Sequence, residues 1–177
     1  SNLDAVYYRN SSEGVTVYLS DRRSTGGEAE EDYIRIYATN EVEIVYVSDY
    51  NDHIVGNEVN NTPSGNDGDD TLDGGVGDDR LVGGDCNDYY IIDSANDTIV
   101  DSMGNDTVRA AANYTLAGGL EIETIEVSGG DINVVGNELD NILIGDGDNN
   151  TLRGGTGNDT LISGSGIDTL NGGSGDD

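Results

Sequence analysis

The sequence predicts an all-β chain laid down as a solenoid of nine-residue units, and three observations carry that expectation. Glycine and aspartate recur in a fixed phase along most of the chain. The apolar residues are almost entirely Val, Ile, Leu and Tyr, with no Phe or Trp and one Met. Glycine is abundant, at 27 residues, while Pro63 is the only proline. β-Branched and tyrosine side chains fit a pleated surface better than a helix. Glycine that recurs in phase serves a regular backbone need and is unlike a collagen or low-complexity tail.

The period can be counted outward from Gly74. Gly-Gly-Val-Gly-Asp-Asp-Arg-Leu-Val is followed at Gly83 by Gly-Gly-Asp-Cys-Asn-Asp-Tyr-Tyr-Ile and preceded at Gly65 by Gly-Asn-Asp-Gly-Asp-Asp-Thr-Leu-Asp. The phase reaches back to Val47 and forward through Asn96-Asp97-Thr98-Ile99 and Asn105-Asp106-Thr107-Val108, so seven units span 47–109. Self-similarity of this kind marks a repeat architecture. A second run, 136–177, contains Gly154-Gly-Thr-Gly-Asn-Asp-Thr-Leu-Ile. Between the runs, 110–135 is one residue short of three periods and lacks the aspartates. It reads as a non-binding strand insert with Tyr114, Leu116, Ile122, Ile125 and Val127 directed inward. Residues 1–46 alternate apolar and polar at Val15, Val17 and Leu19, at Ile34 and Ile36, and at Val42, Ile44 and Tyr46. That is strand periodicity, and it predicts an N-terminal β-strand cap. Tyr7, Tyr8, Tyr33, Tyr37, Tyr46 and Tyr50 are expected mostly in the cap core, with any exposed subset suited to stacking on sugar.

Charge narrows the function classes. Thirty-six acidic residues face seven arginines and no lysine, for a net charge of -29. Such a chain repels itself, and it lacks the basic face that nucleic acid requires. Low hydrophobicity with high net charge reads as disorder unless cations are supplied. Cys86 stands alone, so no internal disulfide can staple the fold. No membrane-spanning run or cleavable leader is recognisable. The last unit is partial, so the chain is expected to be a piece of a longer protein.

The unit G-G-x-G-x-D-x-U-x, best preserved at 65–73, 74–82, 83–91 and 154–162, resembles the haemolysin-type (RTX, repeats-in-toxin) calcium-binding repeat. The resemblance implies a right-handed parallel β-roll in which six residues turn, three form a strand, and two units complete one coil. Residues 18 apart then stack, and several Ca²⁺ ions lie between stacked turns. Calcium takes six to eight hard oxygens at roughly 2.3–2.6 Å, which explains aspartate beside turns whose glycines allow carbonyls to point inward. The implied metal residues are Asp52, Gly68, Asp70, Gly75, Gly77, Asp79, Gly84, Asp88, Asp97 and Asp106 in the first run. In the second they are Gly155, Gly157, Asp159, Gly164, Gly166, Asp168, Gly173, Gly175 and Asp177. Position eight should fill the core: Ile54, Leu72, Leu81, Tyr90, Ile99, Val108, Leu143, Leu152, Leu161 and Leu170. Asn61, Asn141 and Asn150 replace aspartate and predict weaker sites, as do the glycine-poor turns of 92–100 and 101–109. Pro63, at a core position without a donor N–H, predicts a local distortion.

The remaining residues point away from catalysis. His53 falls on a solvent-facing strand position, Cys86 on a turn, and nothing in a roll of turns orients a catalytic triad. Asn-Asp-Thr triplets mimic glycosylation signals only because the repeat contains them. The function expected is therefore a non-enzymatic, Ca²⁺-binding module of a larger secreted protein. It would be extracellular or at the cell surface and fold on calcium after export, with the type I secretion apparatus as an implied partner. The alternative is a module that binds extracellular polysaccharide or serves an adhesin, for example one appended to an alginate epimerase or lyase.

Overall fold

The computed structural model describes residues 4–9, 11–20, 33–37 and 43–177. These residues form strands and turns without a helix, and every registered strand pair is parallel. One sheet has the order β1 (Asp4–Tyr7), β4 (Glu43–Tyr46), β6 (Asn61–Asp67), β8 (Arg80–Asp85), β10 (Thr98–Val100). The facing sheet runs β17 (Thr160–Ile162), β15 (Ile142–Ile144), β13 (Thr124–Val127), β11 (Thr107–Ala110), β9 (Tyr89–Ile92), β7 (Thr71–Gly75), β5 (His53–Asn57), β2 (Thr16–Ser20), β3 (Tyr33–Tyr37). Past β10 the first side is taken over by β12 (Tyr114–Thr115), β14 (Asn133–Val135), β16 (Thr151–Thr156) and β18 (Thr169–Ser174). From β4 onward successive strands alternate between the two sides, so the chain winds as the parallel β-roll expected.

The 18-residue coil is visible in the register: Ile54 lies beside Leu72, Leu72 beside Tyr90, and Leu152 beside Leu170. Side chains alternate across a strand, so position eight enters the roll on every rung. Ile54, Leu72, Leu81, Tyr90, Val108, Leu143 and Leu152 are fully enclosed, and Ile99 nearly so. Leu161 is half-buried and Leu170 is 44% exposed. Both belong to the last rungs, where no further coil covers them. Tyr114, Leu116, Ile122, Ile125 and Val127 of the insert are buried as expected. Its missing residue appears as a 17-residue step from Val108 to Ile125, after which the step to Leu143 returns to 18.

The N-terminal strands differ from expectation in phase. Val15, Val17 and Leu19 are buried, but Ile44 and Tyr46 are half-buried while Val45 and Val47 are fully enclosed. The cause is register: β4 pairs with β6 through Val45↔Pro63, so the nonapeptide phase, carried back one unit, chooses the inward face. The tyrosines are correspondingly more external than expected. Tyr7 is 62% and Tyr50 49% exposed, and Tyr8 is half-buried against the core. Tyr7 sits in register with Tyr46 and stacks on it at 5.0 Å and 9°, and the Arg9 guanidinium lies 4.7 Å from the Tyr46 ring centre. Val42 and the side chains of Tyr33, Ile34, Ile36 and Tyr37 lie outside the described residues. Pro63 is buried, and β6 runs through it without losing its register to β4. On the other side the ladder to β8 begins only at Ser64, which is the local disturbance a residue without an N–H produces.

Candidate metal centre

The turns between strands stack in columns, and the position-six side chains line them. On one edge the Asp52 N–H donates to Asp70 Oδ1 at 2.7 Å, the Asp70 N–H to Asp88 Oδ1 at 2.9 Å, and the Asp88 N–H to Asp106 Oδ1 at 2.6 Å. The opposite edge repeats the pattern from Asn61 to Asp79 at 2.7 Å and from Asp79 to Asp97 at 2.9 Å. In the second run Asn141 donates to Asp159 at 2.9 Å, Asp159 to Asp177 at 3.0 Å, and Asn150 to Asp168 at 2.8 Å. One carboxylate oxygen of each pair is thus committed to the coil before it.

The second oxygen distinguishes the sites. In Asp70, Asp79, Asp106 and Asp159 the Oδ2 atom is buried and has no hydrogen-bond partner. A buried carboxylate oxygen without a donor is costly, and such an atom calls for a specific explanation. By contrast, both Asp52 oxygens are met by the Ser48 hydroxyl, with the Ser48 and Val15 N–H groups also donating. Asp97 Oδ2 accepts from the N–H groups of Asp93 and Ser94 at 3.2 and 3.1 Å, capping its own turn. Burial, reinforced by neighbouring carboxylates, pushes Asp79 up to about 6, Asp88 to about 7, and Asp70 and Asp106 to about 8. A cation among these groups would reverse the shift, because opposite charge favours the ionised form.

Position one of the unit completes the cradle. A Cβ added at Gly65 would overlap Asp70 Oδ2 and lie 2.8 Å from the Gly83 carbonyl oxygen. At Gly154 it would overlap Asp159 Oδ2 and lie 2.5 Å from the Gly172 carbonyl oxygen. Glycine therefore lets a carboxylate oxygen and a carbonyl oxygen of the next coil converge on one point. The donor set is all oxygen, the kind a hard divalent ion takes.

The family model for the RTX calcium-binding nonapeptide repeat matches in four copies, over residues 64–99, 93–113, 135–170 and 154–177, more than half of the chain. The chain belongs to the RTX calcium-binding repeat family. Neither the curated proteins nor the solved structures contain a significant match to it. RTX repeats bind Ca²⁺, and the orphaned carboxylate oxygens beside inward carbonyls fit several such ions. The RTX roll is a structural, non-catalytic kind of module. No helix among the described residues is long and apolar enough to cross a membrane.

The ten glycines implied as metal residues, from Gly68 to Gly175, all have positive φ, between 76° and 157°. Cys86 occupies such a position with φ 82°, and so does Asn66; Cys86 is exposed and unpaired. Asp168 is half-buried and Asp177 exposed, both in the uncovered last coils. At two of the asparagine replacements the amide nitrogen finds a carbonyl: Asn141 Nδ2 donates to that of Ile122 at 2.8 Å and Asn150 Nδ2 to that of Gly130 at 3.3 Å, whereas Asn61 Nδ2 is buried without a partner. His53 is half-exposed, edge-on to Tyr18 at 6.0 Å.

Sequence reasoning missed three features. Glu123 continues the first column, accepting the Asp106 N–H at 2.7 Å; the 17-residue step hid it. The position-one glycines were not assigned a role, although their recurrence was the available signal. Asp101, also at position one, stands with Asp88 and Asp106 so that one ligand atom from each lies within 4.8 Å of the others.

Proposed function

We propose that this chain is a calcium-dependent folding module of a larger secreted protein. It stays open at cytosolic calcium, passes through a type I secretion apparatus, and closes into its roll outside the cell. The observation that carries this reading is the set of buried, partnerless Oδ2 atoms on Asp70, Asp79, Asp106 and Asp159 in a chain of net charge -29. These groups oppose the fold until a cation joins them. We assign the ion contacts to the position-six aspartates and the carbonyls of the turn glycines named above, with Asp70, Asp79, Asp88, Asp106 and Asp159 as principal ligands. Extracellular calcium modules have Kd on the order of 10⁻⁴–10⁻³ M, a range that keeps such a chain open inside a cell. The test is far-ultraviolet circular dichroism during a calcium titration, followed by a chelator. We expect strand signal to appear in the millimolar range and vanish on chelation. An unchanged spectrum would refute the reading.

A polysaccharide-contacting or adhesin role is supported by the exposed Tyr7 stacked on Tyr46 beside Arg9, an aromatic platform of the kind sugars stack on. Binding to a glycan array at millimolar calcium, lost in Tyr7→Ala, would establish it, and a blank array would dismiss it.

A further inference from the structure

The unit 101–109 has lost its leading glycines, yet its turn stacks squarely on that of 83–91. Met103 bridges Asp85, the Ser102 hydroxyl donates to the Gly84 carbonyl at 2.5 Å, and the Asn105 N–H donates to the Asn87 side chain at 2.9 Å. Asp101 consequently lies opposite Gly83: a Cβ placed on Gly83 would overlap Asp88 Oδ2 and the Tyr90 hydroxyl and lie 2.9 Å from Asp101 Oδ1. A side-chain carboxylate thus enters a space that is left to backbone wherever position one is glycine.

We propose that Asp88, Asp101 and Asp106 form one three-carboxylate cation site that fills before the others. The inference rests on the calcium reading above. Ligand atoms of all three residues lie within 4.8 Å of one another. Asp106 is fully enclosed, and its Oδ2 atom, like that of Asp101, is buried without a hydrogen-bond partner. The Tyr90 hydroxyl donates to Asp101 Oδ1 at 2.6 Å and approaches Asp88 Oδ2 at 3.4 Å, so it aims the added carboxylate at the column. Calcium affinity is tuned by the number of charged ligands and by site rigidity; Asp101 adds a carboxylate where other units have a position-one glycine, and the Tyr90 hydroxyl holds it in place. A degenerate repeat is here the tightest one.

The test is a calcium titration of the full chain in competition with a chromophoric chelator, comparing wild type with Asp101→Gly and Asp101→Asn. Asp101→Gly restores the residue found at position one of other units, and Asp101→Asn keeps the size and the acceptor for Tyr90. The wild type should show one binding event on the order of tenfold tighter than the rest. Both variants should lose that event while keeping the weaker ones and the calcium-saturated far-ultraviolet spectrum. Tyr90→Phe, which removes the hydroxyl that aims Asp101 but keeps its carboxylate, should weaken the tight event less than either Asp101 variant; a loss as complete as theirs would mark Asp101 as an anchor for Tyr90 and overturn its role as a ligand. A tight event that survives in both Asp101 variants, or a wild type whose events are all alike, overturns the proposal while leaving the general calcium reading intact. A wild type that binds no calcium overturns both.

Discussion

Replacing Asp70 by asparagine should stabilise the metal-free roll and reduce the further stabilisation that calcium adds. Asp70 is 1% exposed, and its Oδ1 accepts the Asp52 N–H while its Oδ2 has no partner. Burial, with Asp88 and Asp52 adding repulsion, raises its pKa from 3.8 to about 8. The unfolded chain ionises this group freely near 4, so at pH 7 the metal-free fold must hold it protonated or bear a buried charge. That penalty is on the order of 4 kcal/mol at pH 7. The substituted amide would keep the acceptor for Asp52 and remove the charge; the same position is uncharged at Asn61, Asn141 and Asn150 in their own units. In calcium-depleted buffer at pH 7, Asp70→Asn should therefore be the more folded protein. In millimolar calcium it should lose the linkage contribution of one site, about 1.4 kcal/mol at tenfold saturation. Denaturant titrations followed by circular dichroism, with chelator and with calcium, read both effects. A variant that is less stable than wild type in chelator would show that the buried charge is not what opposes the metal-free fold.

Two further outcomes follow from the same geometry. The raised pKa values of Asp79, Asp88, Asp70 and Asp106 mean that the metal-free fold binds more protons than the unfolded chain between about pH 4 and 8. Its stability is thus greatest at the acid end and falls as pH rises. Circular dichroism without calcium should show structure growing on acidification, while apparent calcium affinity rises from pH 6 to 8 as protons cease to compete. Gly74→Ala should destabilise the calcium-loaded roll by more than about 1 kcal/mol, because the new Cβ would overlap the Asp79 carboxylate and lie 2.5 Å from its Cγ. Gly147→Ala, with nothing within 4 Å of its Cβ, is the matched control and should leave thermal unfolding unchanged.

Much of the fold could be read from the chain because period and residue type point the same way. Leu72, Leu81 and Tyr90 recur at one position of a nine-residue unit, the middle of its short strand, where alternation turns every such side chain inward. The same phase placed Asp70, Asp88 and Asp106 in one column. What escaped prediction lies where spacing breaks or where two periodicities compete. In residues 42–47 the alternation Val42, Ile44, Tyr46 is as regular as Val45, Val47, and only pairing with β6 decides between them. Glu123 follows a 17-residue step, so counting by 18 passes over it. Asp52 and Asp97 look like their equivalents in sequence, yet Ser48 and the turn at Asp93 and Ser94 supply donors that Asp70 and Asp79 lack. Whether a carboxylate is satisfied by protein depends on neighbours that a repeat consensus does not contain.

The difference between satisfied and orphaned carboxylates divides the rungs of the roll into two kinds. Asp52 has donors on both oxygens and the asparagines at 61, 141 and 150 carry no charge, so their rungs bury no unmatched carboxylate, although the Asn61 Nδ2 atom is itself buried without a partner. Asp70, Asp79, Asp106 and Asp159 leave an oxygen buried and unmatched, so their rungs close at a penalty that an ion relieves. The two kinds are interleaved along the roll: Asn61 lies between Asp52 and Asp70, and the Asn141 and Asn150 rungs precede Asp159. Parallel strands give each rung its partner only when the next coil closes, so a penalty at one rung also weighs on the rungs paired with it. A repeat array with uniform aspartates would gain ions; a mixed one gains ions and keeps rungs from which the coil can start.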